Sequence, residues 1–209
     1  MHSLEETCKA LRELADISRP KRGVQPGFSK SHVYLILAQL TKTRMSRVEI
    51  EEKLSIGEAS AKTLVKRLKE KGYVVTSKHT GTSITDQGKN LIKPAISTIR
   101  IVNPKCNVLT GNDKIIMVET PNPPRTLMDV HKIRDYLVKS GCDVSIICGY
   151  KEGALSAPGI DYSFAVKIEE CIPFMHNDFL IIITYEDNIL QCLDGVISYL
   201  LSVECKPGS

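Results

Sequence analysis

The chain has 209 residues, of which 42% are hydrophobic and 25% charged, values that are typical of a globular protein and exclude a wholly disordered chain. The formal net charge of +4 is unevenly distributed: residues 1–103 carry 19 Lys and Arg against 10 Asp and Glu, whereas residues 104–209 carry 9 against 14. Apolar runs such as 179–184 are too short to span a bilayer, and the first residues lack the pattern of an export signal. We therefore expect a cytoplasmic protein of two units, of which the first meets a polyanion.

The first predicted element is an amphipathic helix over residues 3–16, followed by a loop rich in proline and glycine over 17–29. A helix of this length is marginal alone in water, so its apolar face must cover another surface. That surface is either the equivalent helix of a second chain or the later helix around Ile92, Ile96 and Ile99 of the same chain, and the sequence leaves both open. The apolar residues of the first helix are Leu4, Cys8, Leu11 and Ala15.

Two short helices are predicted next, after a helix over 31–40 whose apolar side chains have the spacing of a core-facing element. Ser46 and Glu49 form the pattern of a capping box, which predicts that a short helix begins there. Ser55 and Glu58 repeat the pattern, which predicts that another helix follows at once. Two short helices with almost no linker must turn sharply, as in a helix-turn-helix.

The second of these helices is predicted to end at Gly72, because glycine readily takes the left-handed conformation that ends helices. Residues 73–85 then read as two short strands around an exposed turn, and Asp86 is the predicted N-cap of a return helix that ends near Ile101. The helix before Gly72 has an apolar stripe and an opposite polar face; the stripe is Ala61, Leu64, Val65 and Leu68, and the polar face is Ser60, Lys62, Thr63, Lys66 and Arg67.

This order of elements is accompanied by a family resemblance. Residues 31–93 resemble the winged-helix domains of archaeal and bacterial transcription regulators of the multiple-antibiotic-resistance type, on the segments KTLVKRLKEKGYV (62–74) and TDQGKNLI (85–92). The resemblance implies a winged helix-turn-helix over residues 1–102 that binds double-stranded DNA, with one helix in the major groove and the hairpin near the minor groove. The residues expected to contact DNA in that pose are Ser60, Lys62, Thr63, Lys66, Arg67, Lys78 and His79.

These polar residues also admit a simpler interpretation. The charged part of the helix could be an ordinary solvated face, with Lys66 paired to Glu70 four residues later. Lys69 and Lys71 fit that interpretation best, because they lie beyond the turns that would face the groove. His79 could be no more than a polar residue of the turn.

The C-terminal half, residues 103–209, is predicted to be a small α/β or α+β domain. Its short apolar strands flanking a helix suggest a β-α-β unit, and residues 154–177 receive no assignment. The predicted elements are a linker (103–107), a turn (109–114), a strand (114–119), a helix (126–140, opened by Thr126), a strand (143–149), a turn (151–153), a strand (178–186) and a final helix (188–203).

We expect no enzyme chemistry, metal or cofactor in this half. It has no glycine-rich phosphate loop, no P-loop lysine and no nucleophile elbow. The seven cysteines lack both framework and zinc spacing, so we expect buried, reduced thiols. A small-molecule effector is possible at the ends of the strands, where the alternative is ordinary loop residues. The side chains there are Thr120, Asn122, Arg125, Tyr150, Lys151, Tyr185 and Asp187.

The whole chain resembles archaeal two-domain regulators in which a winged helix precedes a domain of unknown function. The matching segments are FSKSHVYLIL (28–37), LSIGEASAKTLVKRLK (54–69), IRDYLVKSGC (133–142), KEGALSAPG (151–159) and DFLIIIT (178–184). The resemblance implies a DNA-binding transcription regulator, and we expect a homodimer because most such proteins read two half-sites. The alternative is a protein-protein interaction module that uses the winged helix for docking.

Overall fold

A computed structural model of the protein divides into two compact units, residues 1–96 and 97–209. Both contain helices and antiparallel strands, so the fold is mixed α+β. The boundary lies slightly before the expected residue 102, because 99–102 is a strand of the second unit and not the end of a helix. The structure describes residues 2–21, 23–102, 114–120, 127–151, 154–156, 179–185 and 189–206.

The first unit follows the order of elements that the sequence predicts. Four helices precede a two-stranded antiparallel hairpin, and a fifth helix follows it. Within this unit α1 packs on α2 and α4, and α3 packs on α2 and α4. The bounds are α1 Leu4–Ser18, α2 Lys30–Leu40, α3 Arg47–Leu54, α4 Glu58–Glu70, β1 Val74–Ser77, β2 Gly81–Ile84 and α5 Asp86–Thr98.

The start of α3 has the predicted capping box. The Ser46 hydroxyl accepts from the Glu49 backbone N–H (3.2 Å), and the Glu49 carboxylate accepts from the Ser46 N–H (2.6 Å). These bonds lower the pKa of Glu49, because they favour its charged form. Glu49 therefore stays ionised at neutral pH, where its negative charge also complements the helix N-terminus.

The second predicted capping box, at Ser55 and Glu58, is wrong. Ser55 ends α3 in a left-handed conformation (φ 50°), and its N–H donates to the Glu52 carbonyl. A residue in that conformation cannot cap the next helix, and α4 begins instead after Gly57. Asp86 is likewise not an N-cap but the first residue of α5.

The apolar face of α1 is covered by the same chain. The structure resolves the alternative left open by the sequence in favour of intramolecular packing, although the surface is that of α2 and α4. Leu4 and Ala15, expected in the stripe, are only half-buried. The buried residues of α1 are Thr7, Cys8, Ala10, Leu11, Leu14 and Ile17.

The hairpin is extended by the segment before α3. Met45 N donates to the Thr82 carbonyl (3.0 Å), and Thr82 N donates to the Met45 carbonyl (2.7 Å). Gly81 has φ +73°, and a Cβ there would lie 3.1 Å from Ser46 N. The first residue of β2 therefore lies directly beside the start of α3.

The second unit contains a five-stranded sheet in the order β3-β4-β7-β5-β6, with every neighbouring pair antiparallel. β4 and β5, which the sequence placed in a β-α-β unit, are separated by β7 and are not hydrogen-bonded to each other. The short strand β6, which pairs with the end of β5, was not predicted. The bounds are β3 Ile99–Val102, β4 Lys114–Thr120, α6 Leu127–Lys139, β5 Val144–Lys151, β6 Ala154–Ser156, β7 Phe179–Tyr185 and α7 Ile189–Val203.

α6 packs on β5 and on α7. A disulfide between Cys142 and Cys192 joins the segment that follows α6 to α7. Cys8 and Cys205 each take part in a disulfide as well. The expectation of reduced thiols is therefore wrong for these residues, because neither spacing nor charge in the sequence reveals a contact made across 50 residues. Among the described cysteines, Cys148 is a buried thiol outside any disulfide.

Of the strand ends considered for an effector, those of β4 (Thr120) and β5 (Tyr150, Lys151) lie at one end of the sheet, and that of β7 (Tyr185) lies at the other. Thr120 pairs with Phe179 and Lys114 with Tyr185, so the C-terminal ends of β4 and β7 lie at opposite ends of the sheet. Asn122, Arg125 and Asp187 fall outside the described residues, as do the predicted linker, the cap at Thr126 and most of 154–177. None of the helices in the described part is long and apolar enough to cross a membrane.

Candidate nucleic-acid interface

The geometry of α4 separates its side chains into two faces. Ala61, Leu64 and Leu68 are buried in the core of the first unit, while three residues on the opposite side are exposed. The Lys66 side chain is 77% exposed. An exposed strip with two lysines one helical turn apart is suited to contact an extended anionic surface. The strip consists of Lys62, Thr63 and Lys66.

Arg67, which was expected on this exposed side, is instead buried. Its Nη1 donates to the carbonyl oxygens of Ile17 (2.6 Å) and Arg19 (2.7 Å). Its guanidinium also lies over the Phe28 ring, 5.3 Å from the ring centroid. α1 ends at Ser18 without a basic residue in its last turn, so Arg67 supplies the cation that a helix C-terminus favours. The expected outward orientation of Arg67 is wrong.

Two smaller side chains of the predicted set are partly engaged within the protein. Ser60 is half-buried, and its hydroxyl lies so close to Gly27 that a Cβ on that glycine would clash with it. The expectation that Ser60 lies at an outward surface is therefore not met. Thr63 is exposed, and its hydroxyl donates to the Ala59 carbonyl of its own helix (2.8 Å), which leaves the oxygen available as an acceptor.

The turn of the hairpin contributes two further exposed residues, Lys78 and His79. The His79 backbone N–H donates to the Ser77 hydroxyl (3.3 Å), which helps to hold the turn. Because Gly81 lies beside Ser46, this turn is next to the start of α3. The structure therefore brings the hairpin turn and the N-terminal end of α3 together.

The start of α3 carries Arg47, which is not among the residues predicted to contact DNA. Its side chain reaches the start of α4, where Nη2 lies 3.2 Å from Glu58 Oε1. The same oxygen lies 2.8 Å from Lys62 Nζ. The available signal was a pair of arginines, Arg44 and Arg47, on either side of the capping residue Ser46. We call the exposed set the basic face; it consists of Arg47, Lys62, Thr63, Lys66, Lys78 and His79.

The C-terminal end of α4 also contains a carboxylate between two lysines. Glu70 lies 3.9 Å from Lys66 Nζ and 3.6 Å from Lys21 Nζ. The pairing of Lys66 with Glu70, considered from the sequence, is thus present, although it is long. A loose, exposed pair contributes little to stability, so Lys66 can exchange Glu70 for another anion at small cost.

Just after the last residue of α4, a second set of polar contacts connects this part of the chain to α1. Lys71 Nζ lies 2.9 Å from Glu13 and 3.2 Å from Asp16, and Tyr73 donates a hydrogen bond to Glu13 (3.0 Å). These partners raise the pKa of Lys71, with Glu13 as the main cause. Lys71 therefore fixes α4 to α1 and does not belong to the basic face.

The described part of the second unit contains a buried thiol, Cys148. Burial raises the pKa of the Cys148 thiol to about 12, so it stays protonated and unreactive at neutral pH. No group of three or more His, Cys, Asp or Glu side chains that could hold a metal ion occurs among the residues described. Cys171 and His176 lie outside those residues.

Comparisons with known proteins place the chain by its fold alone. No protein-family model matches it, and no curated protein does. Among solved structures, it is similar to a hypothetical protein from Pyrococcus horikoshii OT3, with a TM-score of 0.61 and 22% sequence identity. The match covers 83% of this chain and 92% of that chain. The chain therefore shares its overall mixed α+β fold with this archaeal protein.

Proposed function

We propose that the first unit is a winged helix-turn-helix that binds double-stranded DNA, and that the protein regulates transcription as a homodimer. The observation that carries the proposal is the exposed strip of α4, with Lys62, Thr63 and Lys66 opposite the buried Ala61, Leu64 and Leu68; Val65, also expected in the apolar stripe, is only partly buried. α3 and α4 are joined only by residues 55–57, and the hairpin follows α4 directly. This is the arrangement in which the second helix enters a major groove.

The distribution of charge along the chain supports the same placement of α4 on DNA. Residues 1–103 carry an excess of nine positive charges, 19 Lys and Arg less 10 Asp and Glu. Lys62 and Lys66 on α4 would approach phosphates, while Thr63 can accept a hydrogen bond from a base edge. Lys78 and His79 on the hairpin would reach the adjacent groove. The second unit then holds two chains together or binds an effector.

The test is binding of the full chain to a random-sequence DNA duplex over a series of salt concentrations. The variant Lys62→Ala/Lys66→Ala should bind about tenfold more weakly or worse, and the slope of log affinity against log salt should flatten by about one for each lost phosphate contact. The matched control is Lys9→Ala/Lys93→Ala, which removes two exposed lysines from α1 and α5. Equal losses in both variants, or no binding by the wild-type chain, would contradict the proposal and favour a protein-docking module.

A further inference from the structure

The carboxylate of Glu58 occupies a position in the basic face that a phosphate group would also favour. It belongs to the first residue of α4, and a single oxygen, Oε1, holds both Lys62 Nζ (2.8 Å) and Arg47 Nη2 (3.2 Å). The two cations come from different helices, α4 and α3. All three side chains are about half exposed, so a ligand in solvent can reach them.

Carboxylate and phosphate oxygens compete for the same donors. Lys and Arg bind both with short, charge-assisted hydrogen bonds of similar geometry. A phosphate that approached Arg47 or Lys62 would therefore have to displace Glu58 or lie beside its negative charge. The N-terminus of α4 stabilises that charge where it is.

Glu58 also remains ionised under ordinary conditions. The hydrogen bond from Lys62, the charge of Lys62 and the charge of Arg47 lower the pKa of this carboxyl, in that order of importance. The competition with an incoming anion is consequently present at neutral pH and does not depend on small changes of pH.

We propose that Glu58 is an internal competitor of DNA phosphate, which lowers the affinity of the basic face for nucleic acid in general. The inference rests on the proposed function and concerns the regulation of that same surface. Contact with arbitrary DNA gains two phosphate contacts but loses two ion pairs. A DNA site that also offers base contacts to α4 compensates for this loss, so Glu58 favours specific over non-specific binding.

The variant Glu58→Gln tests the proposal, because it keeps the size of the side chain and removes its charge. The matched control is Glu70→Gln, which causes the same change of net charge at a carboxylate that also lies between two lysines, Lys66 and Lys21. Affinity of each full-length protein for a random-sequence duplex is measured over a salt series, with unfolding midpoints to verify folding. Glu58→Gln should bind about three- to tenfold more tightly, with a salt slope steeper by about one to two, and Glu70→Gln should stay within about twofold of wild type.

The other outcomes separate this inference from the proposed function. Equal gains in both variants would mean that only net charge matters, and the competitor role would be wrong. Binding by Glu58→Gln that equals or falls below that of a DNA-binding wild type would also overturn the inference and leave the proposed function intact. If neither wild type nor Glu58→Gln binds any duplex, the proposed function itself fails.

Discussion

Neighbouring cations on α4 have opposite environments. Lys66 projects into solvent, whereas Arg67 is buried and completes the C-terminal end of α1 by binding the carbonyls of Ile17 and Arg19. Helical periodicity alone places both residues on the polar side of α4, although Arg67 adjoins the edge of the apolar stripe. The contacts that bury Arg67 come from residues about 50 positions earlier. A local pattern cannot contain that information.

This difference predicts separate effects for the two side chains. Arg67→Ala should lower the free energy of unfolding by about 2–4 kcal/mol, because it leaves two carbonyl oxygens without their charged donor. Lys66→Ala should change it by no more than about 0.5 kcal/mol, as expected of an exposed side chain. Urea unfolding of both variants and of the wild type measures these changes in the free energy of unfolding. Equal stability of the two variants would show that the burial of Arg67 contributes nothing.

Tyr73 gives the first unit a dependence on alkaline pH. Burial and the hydrogen bond to Glu13 raise its pKa from 10.0 to about 12. The unfolded chain therefore ionises before the folded one, so the contribution of Tyr73 is complete below pH 10 and is lost as the pH rises towards about 12. Tyr73→Phe should cost about 1 kcal/mol at neutral pH through the lost hydrogen bond.

The wild-type advantage over Tyr73→Phe should then narrow between pH 10 and about 12. Denaturant unfolding at a series of pH values measures the difference. Other tyrosines and lysines titrate in the same range, but they are common to both proteins and cancel in the comparison. A difference that stays constant through this range would contradict the raised pKa.

At the scale of elements, the helices of the first unit were largely predictable because their signals are local. The apolar spacing of α2 and the capping box of α3 act within a few residues and were identified correctly. Ser55 was misassigned because the same S-x-x-E pattern can follow a helix end, and only the backbone conformation distinguishes the two. The pairing of Met45 with Thr82 was missed because a single bridge has no sequence signature.

That bridge makes Gly81 a sensitive position. Any other residue at position 81 would have to keep the left-handed backbone conformation. Its Cβ would also lie too close to the Met45 carbonyl and Ser46 N of the neighbouring segment. Gly23 has a similar φ of +76° but nothing within 4 Å of a Cβ, so Gly23→Ala measures the conformational strain alone. We expect Gly23→Ala to cost about 1 kcal/mol and Gly81→Ala about 2–3 kcal/mol in denaturant unfolding. Equal costs would mean that the hairpin does not rest on the segment before α3.

The disulfide between Cys142 and Cys192 leads to a prediction about the oxidation state of the cysteines. Cys142 and Cys192 should resist alkylation in denaturant unless a reductant is added, whereas Cys148 should react as soon as the chain is unfolded. Replacing both bonded cysteines with alanine should lower stability by about 3–4 kcal/mol, given the 50-residue separation. Peptide mass mapping after alkylation measures the first effect. Alkylation of Cys142 without reductant would restore the expectation of reduced thiols.

At the scale of the molecule, β4, β5 and β7 of the second unit could be found from the sequence, but β3 and β6 could not, and neither could the strand order. Each apolar run identifies a strand, yet nothing in the runs tells that β7 lies between β4 and β5. Strand order depends on pairing between segments that are far apart in the chain. The expectation that β4 and β5 are neighbours is wrong for that reason, although their C-terminal ends lie at the same end of the sheet, beside Phe179.

The packing of α1 within its own chain limits where two chains could contact each other. The sequence offered the apolar face of α1 as one contact between chains, but Leu11 and Leu14 are buried against the same chain. The buried apolar face of α1 is therefore not available to a second chain. Under the proposed function, two linked copies of the basic face would bind two half-sites, and such bivalent binding raises affinity far above that of one copy.

We accordingly predict a solution mass of twice the 23.2 kDa of one chain at micromolar concentration. Size-exclusion chromatography with light scattering measures it directly. Leu4→Glu, which places a charge at the half-buried start of α1, should leave that mass unchanged, because α1 packs within its own chain. A variant that becomes monomeric would return α1 to the dimer contact. A wild-type mass of one chain would instead remove the homodimer from the proposed function, and DNA would then be read one half-site at a time.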